Sequence, residues 1–434
     1  MDSLWTKTVS LPEFPALEGD IEAGVLIVGG GMAGVLCAWQ LARAGADCVL
    51  VEADRVGGGI TKNTTAKITA QHGLIYDKLV SQYGEETARL YLKANLEAGE
   101  RYRELCRDID CDYEELDSFV YSLDDPEKIR REVEALRLLG FDAAVETESP
   151  LPFKTAGAVR FPKQAQFHPL KFLAAVTKGL CIYEHTKVLE LGPGQAVTNR
   201  GTIKADKIII ATHFPILNKH GGYFVKLYQE RSYVLALQGA INEGDDLREM
   251  YVDGSAQGLS FRSYKDSLLL GGGSHRTGKP GGWQGLEAFT KEYYPQAKIT
   301  ARWAAQDCMS LDGMPYIGRY SRGTEGLYTA TGFNKWGMTS SMAAASLLTD
   351  LVLGRENPFE GVFDPSRSIL HPQLAVNIFE AAVGLLTPTV PRCPHMGCAL
   401  KYNAAEHSWD CPCHGSRFGE DGRLIDNPAT DDRK

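Results

Sequence analysis

The apolar positions of the chain follow two rhythms. Val25 to Val28 is a short unbroken aliphatic run, followed at once by Gly29, Gly30 and Gly31. Such a run fits a strand buried on both faces. Met32 to Ala44 then reads as an apolar helix, and Gly45 stands where a left-handed helix terminator belongs. Val49 to Val51 is a second buried strand, closed by Glu52. This succession is a βαβ unit of the parallel, doubly wound kind. Helical spacing returns over Leu74 to Tyr83 and Glu85 to Asp108, with Gly84 between them, and again over Pro126 to Leu139. Short strands and turns dominate from about Ala158 and end in the buried run Ile208 to Ala211. Tyr233 to Gly273 reads as strands broken by Gly and Asp turns. Leu327 to Ala330 is one more strand, Gly337 to Leu353 a strong helix and Gln373 to Leu386 a short amphipathic helix. Pro358 and Pro365 mark a boundary, and Pro388 and Pro391 stiffen the approach to a segment crowded with Cys and His.

Composition narrows the class. The chain has 434 residues, 44% hydrophobic and 23% charged, which is the balance of a globular protein and excludes a disordered or fibrous one. At roughly 150 residues per domain it holds about three domains. A net charge of −9 argues against a broad nucleic-acid footprint. Gly24 to Gln40 carries no charge, but its glycines make it a strand, turn and helix rather than a membrane span. The first residues lack the basic region and apolar core of a secretory signal. We therefore expect a cytoplasmic protein with no membrane insertion.

Gly29-Gly30-Gly31-Met32-Ala33-Gly34 matches G-x-G-x-x-G between the first strand and the first helix. Gly29 allows the tight turn, Gly31 the approach of a pyrophosphate and Gly34 close packing of helix on strand. The helix N-terminus offers free N–H groups to the phosphates. Glu52, at the end of the next strand, suits the ribose hydroxyls. These residues read as a dinucleotide site, with FAD and NAD both open and NADP disfavoured.

Further segments carry a resemblance: Val51 to Gly59 running into Thr61 and Lys62 to Lys67, Lys187-Val188, Ile210-Ala-Thr212, Asp312 to Gly318, and Gly332 to Thr339 opening a helix. Together they resemble the amine and D-amino-acid oxidase class of FAD enzymes, the glycine-oxidase and sarcosine-oxidase relatives, over about residues 21–365. The resemblance implies FAD, contacted by Gly29, Gly31, Met32, Ala33, Gly34, Glu52, Ala53, Gly59, Thr61, Thr64, Thr65, Val188, Ala211, Thr212, Gly332, Trp336, Gly337, Met338 and Thr339. A second helix N-terminus, at Gly337 to Thr339, would stabilise negative charge on a reduced flavin. Where relatives carry Gly-His this chain has Lys335-Trp336, so no histidine role transfers there. Lys67 in the Thr-rich loop, Arg262 in the middle strand region and His275 on a Gly-rich loop are the catalytic candidates. Tyr233 either faces the pocket or packs, and His168, before Pro169, reads as structural.

Of ten cysteines, Cys37, Cys48, Cys106, Cys111, Cys181 and Cys308 are scattered and read as buried thiols. Cys393-Pro-His395-Met-Gly-Cys398 and Cys411-Pro-Cys413-His414-Gly-Ser416 make two short boxes. Their ligand count alone also allows a Cys₂His₂ zinc site, which leaves Cys398 and Cys413 unexplained. The boxes closely resemble a Rieske [2Fe–2S] site, with Cys393 and Cys411 as thiolate ligands and His395 and His414 as imidazole ligands. That resemblance implies a disulfide between Cys398 and Cys413. The strands that precede the first box in a full Rieske domain are missing, so the domain is shortened and leans on the flavoprotein or on a second chain.

The expected fold is α/β. A discontinuous FAD-binding Rossmann-type domain (21–80, 155–215 and 300–365) interleaves with an α+β substrate domain (81–154 and 216–299). A linker helix (366–387) leads to a small β-rich Rieske-like segment (388–434). The expected function is oxidation of a small amine or amino-acid-like substrate by hydride transfer to FAD. Electrons then pass singly through the cluster to an unidentified one-electron acceptor, in a monomer or homo-oligomer. The alternative is a flavin and iron–sulfur redox sensor or electron carrier without substrate turnover.

Overall fold

A computed structural model describes residues 2–217, 220–241, 246–255 and 258–433. Three sheets organise them. The first has strand order Tyr316–Arg319, Leu327–Thr331, Thr202–Ile210, Ile21–Val28, Cys48–Val51 and Ile182–Tyr183. Its central strands run parallel. Alternate residues of Ile21–Val28 face opposite layers, as a strand's period of two requires. Val25 and Ile27 pack with the helices Met32–Arg43 and Gly337–Val352. Leu26 and Val28 pack with Leu17, Val188 and Ala196. The second face of this sheet is thus covered by a hairpin, Val188–Gly192 with Gln195–Thr198. The expected helical pair at Leu74 to Asp108 is present within Tyr76–Cys106, its two helices meeting at a kink where Gly84 takes a φ of 81°.

The second sheet runs Lys298–Met309, Tyr228–Gln238, Ser267–Arg276, Ser260–Tyr264, Met250–Asp253, Glu114–Ser122, Gly157–Gln166 and Lys67–Ile68. This corrects the expected domain limits. Gly157–Gln166 and Lys67–Ile68, given above to the FAD-binding domain, pair here. Lys298–Met309 crosses residue 300 in one unbroken strand beside Tyr228–Gln238. The chain changes sheets within continuous runs that carry no compositional break.

The third sheet is small: Lys401–Asn403, Ser408–Asp410, Arg417–Gly419 and Leu424–Asp426. Its core is the four C-terminal cysteines with Leu400, Phe418 and Ala429. The helix Pro372–Leu386, read above as a linker, packs directly on that core. A Cβ at Gly384 would lie 2.5 Å from Cys413 Sγ, so only glycine lets the helix come so close. Buried charges complete the attachment. Arg417 meets Asp410 (3.0 Å), Glu406 (2.9 Å) and Asp426 (3.0 Å), and Glu406 also pairs with Arg231 of the second sheet. No helix among the described residues is long and apolar enough to cross a membrane. Replacing Arg417 by Met strands its buried carboxylate partners. It should cost about 3–5 kcal/mol, measured as a lower denaturant midpoint for loss of the C-terminal metal-centre absorbance.

Candidate cofactor cavity and cluster site

The tips of the first sheet open into a cavity of about 990 Å³. Its glycines are there for backbone approach. Gly29 has a φ of 110°, and a Cβ on it would lie 2.6 Å from Ala211 O. A Cβ on Gly34 would lie 1.9 Å from Gly29 O. At Gly31 a Cβ would meet only Thr61 Oγ1, at 3.5 Å, so that backbone stands bare toward the cavity. The helix Met32–Arg43 has no side-chain cap, and Met32 N–H donates to Thr61 Oγ1 at 3.0 Å. Glu52 lines the same space, its carboxylate accepting from Gly30 N (2.7 Å) and Asp54 N (2.9 Å). Burial pushes its pKa up.

Most of the expected cofactor contacts line this cavity: Gly29, Gly31, Met32, Ala33, Glu52, Ala53, Gly59, Thr61, Thr64, Thr65, Val188, Ala211, Thr212, Trp336, Gly337 and Met338. Gly34, Gly332 and Thr339 stand behind the wall. Gly34 packs on Gly29, and Gly332 (φ 69°) makes the turn before the helix Gly337–Val352. Thr339 is buried, donating to Thr69 O at 3.1 Å and 2.9 Å from His72 Nε2. His72 itself lines the cavity and stacks on Trp336 at 5.1 Å. Asp312, in the motif that carried the resemblance, serves structure: it pairs with Arg367 at 2.6 Å.

The three catalytic candidates separate. Lys67 lines the cavity. Burial, helped by the nearby Arg262 charge, lowers its pKa to about 7. Arg262 does not line it, which corrects the expectation of a substrate contact. Its guanidinium is fully buried, donating to Gln166 Oε1 (2.7 Å), Phe167 O (2.8 Å) and Thr65 O beneath the Trp5 ring. His275 is also set back. Its Nε2 lies 3.1 Å from the hydroxyl of Tyr233, which does line the cavity. His275 therefore positions Tyr233 instead of facing substrate. Three wall residues were not among the site candidates named from the sequence. Lys335 Nζ bonds Glu230 (2.7 Å) and Ser274 (2.9 Å). Burial raises Asp307 to about 6. His213 follows the Ile210-Ala-Thr212 motif by one residue, which was its only sequence signal.

The two Cys/His boxes form matching loops. In the first, Cys393 N donates to Cys398 O (2.9 Å) and Gly397 N to Cys393 O (2.9 Å). In the second, Cys411 N donates to Ser416 O (2.8 Å) and Gly415 N to Cys411 O (2.9 Å). Gly397 and Gly415 have φ of 79° and 89°, the left-handed turn that glycine tolerates. The loops bring the His395 and His414 rings to 5.0 Å. Hydrogen bonding to Cys411, then burial, pushes the Cys393 thiol well up. The sulfurs of Cys398, Cys411 and Cys413 lie within 4.8 Å of one another. All ten cysteines are free, so the expected Cys398–Cys413 disulfide is not formed here, although the two thiols are neighbours. His414 is 3% exposed, and its Nδ1 is buried with no hydrogen-bond partner. Burial lowers its pKa to about 4, which keeps the ring in the neutral, metal-binding form.

The loops sit on the second sheet. Gln229 Nε2 donates to His414 O (2.9 Å) and Gln306 Nε2 to Gly415 O (2.8 Å). Arg276 donates to Pro412 O (3.0 Å) and Cys413 O (3.0 Å), so this arginine beside His275 seats the cluster loop. The strands that hold the loops present Ser232, Ala305 and Asp307 to the cavity.

The family profile described as FAD dependent oxidoreductase matches residues 24–351. The chain belongs to this family. A Rieske [2Fe-2S] domain profile matches residues 371–433. That match begins before the boundary expected at 388 and takes in the helix seated on the cysteines. The chain is 35% identical to the Rieske 2Fe-2S iron-sulfur protein YhfW of Bacillus subtilis (strain 168), over 99% of this chain and 96% of that protein. It is 26% identical to gamma-glutamylputrescine oxidoreductase of Escherichia coli (strain K12), over 80% of this chain and 87% of that protein. Glycine oxidase from Geobacillus kaustophilus shares the fold, with a TM-score of 0.67 and 21% identity, covering 80% of this chain and 99% of that one. The cofactors of an FAD-dependent oxidoreductase with a Rieske domain are FAD and a [2Fe–2S] cluster. The bare Gly31 backbone and Glu52 suit the first, and the open His414 Nδ1 among thiols suits the second.

Two substitutions test these sites separately. Gly34→Val should abolish FAD binding, seen as a colourless flavoprotein domain in absorbance, because its side chain meets Gly29 O. His414→Ala should abolish the Rieske EPR signal while leaving FAD bound at full occupancy.

Proposed function

We propose that the protein oxidises a small amine or amino-acid-like substrate at FAD and passes the electrons one at a time through the Rieske cluster. One observation carries this reading: strands Tyr228–Gln238 and Lys298–Met309 line the cavity with some residues and grip the cluster loops with their neighbours. Leu424 to Asn427 of the C-terminal segment line the same cavity. When bound, FAD accepts two electrons and can return them singly, and a Rieske centre carries one.

The chain's own groups suit an amine. Lys67 Nζ, with a pKa of about 7, is a base near neutrality and can take the proton of a substrate ammonium. That leaves the substrate nitrogen neutral, as loss of hydride from the adjacent carbon requires. Tyr233, held by His275 and raised to about 12 by burial, stays protonated and offers a hydrogen-bond donor. Lys335 and Asp307 give the same wall both signs of charge. The likeness to gamma-glutamylputrescine oxidoreductase supports the substrate class.

The test is an anaerobic screen of amines and amino acids. A true donor bleaches the flavin and then produces the EPR signal of the reduced cluster. Absence of bleaching by every donor would favour an electron carrier without turnover. With the donor in hand, kcat/KM should rise as pH passes about 7, because Lys67 acts deprotonated and its pKa is lowered to that value. Lys67→Met should remove that limb and lower kcat/KM about 10²–10⁴-fold.

A further inference from the structure

The chain's last residues turn toward the FAD cavity. After strand Leu424–Asp426, the last of the small sheet, Asn427, Ala429, Thr430 and Asp432 line that cavity, as Glu52, Thr186 and Val188 do. Hydrogen bonds fix this segment at both ends. Asn427 Nδ2 donates to Thr212 O (2.6 Å) and Phe214 O (2.8 Å), just past strand Thr202–Ile210. Lys187 Nζ donates to Thr430 O. Thr212 follows Ala211, whose carbonyl lies against Gly29. Lys187 follows Thr186, whose N–H donates to Glu52 O at 2.9 Å. In the sheet, strand Ile21–Val28 lies between the strand that leads to Thr212 and the strand that leads to Glu52. The segment therefore bridges the two walls on either side of the glycine turn. It is tied to the cluster site as well. Ala429 N donates to Ser416 Oγ (3.0 Å), in the second Cys/His box, and Gln229 Nε2 donates to Asn427 O (2.8 Å).

We propose that residues 427–432 are part of the FAD site: they close the glycine-turn end of the cavity over the nucleotide half of FAD, so that the iron–sulfur sheet retains the flavin cofactor. A pyrophosphate belongs at that end, where the bare Gly31 backbone and the helix N-terminus face the cavity. A covering segment must lift before its ligand leaves, so the effect falls mainly on release. Binding free energies are reciprocal, so whatever the docked segment adds to FAD binding, FAD adds to docking of the segment. This role requires FAD in the cavity and is independent of substrate and of electron transfer.

The experiment uses the full chain with its cluster. FAD release is followed by the rise of flavin fluorescence on dilution. ADP, which carries the nucleotide half alone, is titrated by calorimetry into protein stripped of FAD. Asn427→Ala removes both bonds to the Thr212 wall. It should speed FAD release about tenfold and weaken ADP binding by a similar factor, with the cluster EPR signal unchanged. Lys187→Met, which frees Thr430 from the opposite wall, should act in the same direction and carries the test if Asn427→Ala does not assemble. In the unmodified protein, added FAD should slow amide hydrogen exchange across residues 424–432. Unchanged FAD release and ADP affinity in the assembled variants, or exchange at 424–432 that FAD leaves unaltered, overturns the assignment.

Discussion

Two glutamine amides carry the cluster loops. Tight loops with left-handed glycines turn their carbonyls outward, away from any sheet ladder, and a buried carbonyl without a donor is costly. Gln229 and Gln306 satisfy the carbonyls of His414 and Gly415, bond each other at 2.9 Å, and are fixed by Thr277 at 3.1 Å. The C-terminal sheet has four short strands and a core that is largely thiol. A unit of that size buries too little apolar surface to persist without a metal centre or external support. The flavoprotein supplies that support, so the position of the cluster and the stability of its domain share one cause.

The cavity obeys a different constraint, the closeness of backbone to backbone. Gly29 against Ala211 and Gly34 against Gly29 leave no room for a side chain, and this draws helix Met32–Arg43 onto the sheet. The loop from Gly57 to Thr65 then closes over the space. Arg262 holds that loop from outside, through Thr65 O and the Trp5 ring, whose Nε1 donates to Thr64 O at 2.7 Å. A buried arginine that makes no substrate contact thus shapes the site through a loop.

Local signals in the sequence were read well. The strand–glycine–helix unit, the break at Gly84 and the paired Cys/His boxes all lie within short stretches whose chemistry is complete in itself. Arg262 and His275 were misread because their surroundings come from far along the chain. Trp5 roofs Arg262 and Tyr233 captures His275. Strand periodicity tells which residues alternate, but not which sheet receives the strand. Gly157–Gln166 and Lys298–Met309 were therefore assigned to the wrong layer. Asp307 carried no signal at all, since an acid within a strand is informative only once the space beside it is known.

The seat and its occupant stand in a fixed order along the polypeptide. Gln229, Arg231, Arg276 and Gln306 are all translated well before Cys393. Domains tend to fold in order of emergence from the ribosome, so the cradle for iron is complete while the iron-holding loops are still being made. Maturation of the cluster can then take place on a finished platform.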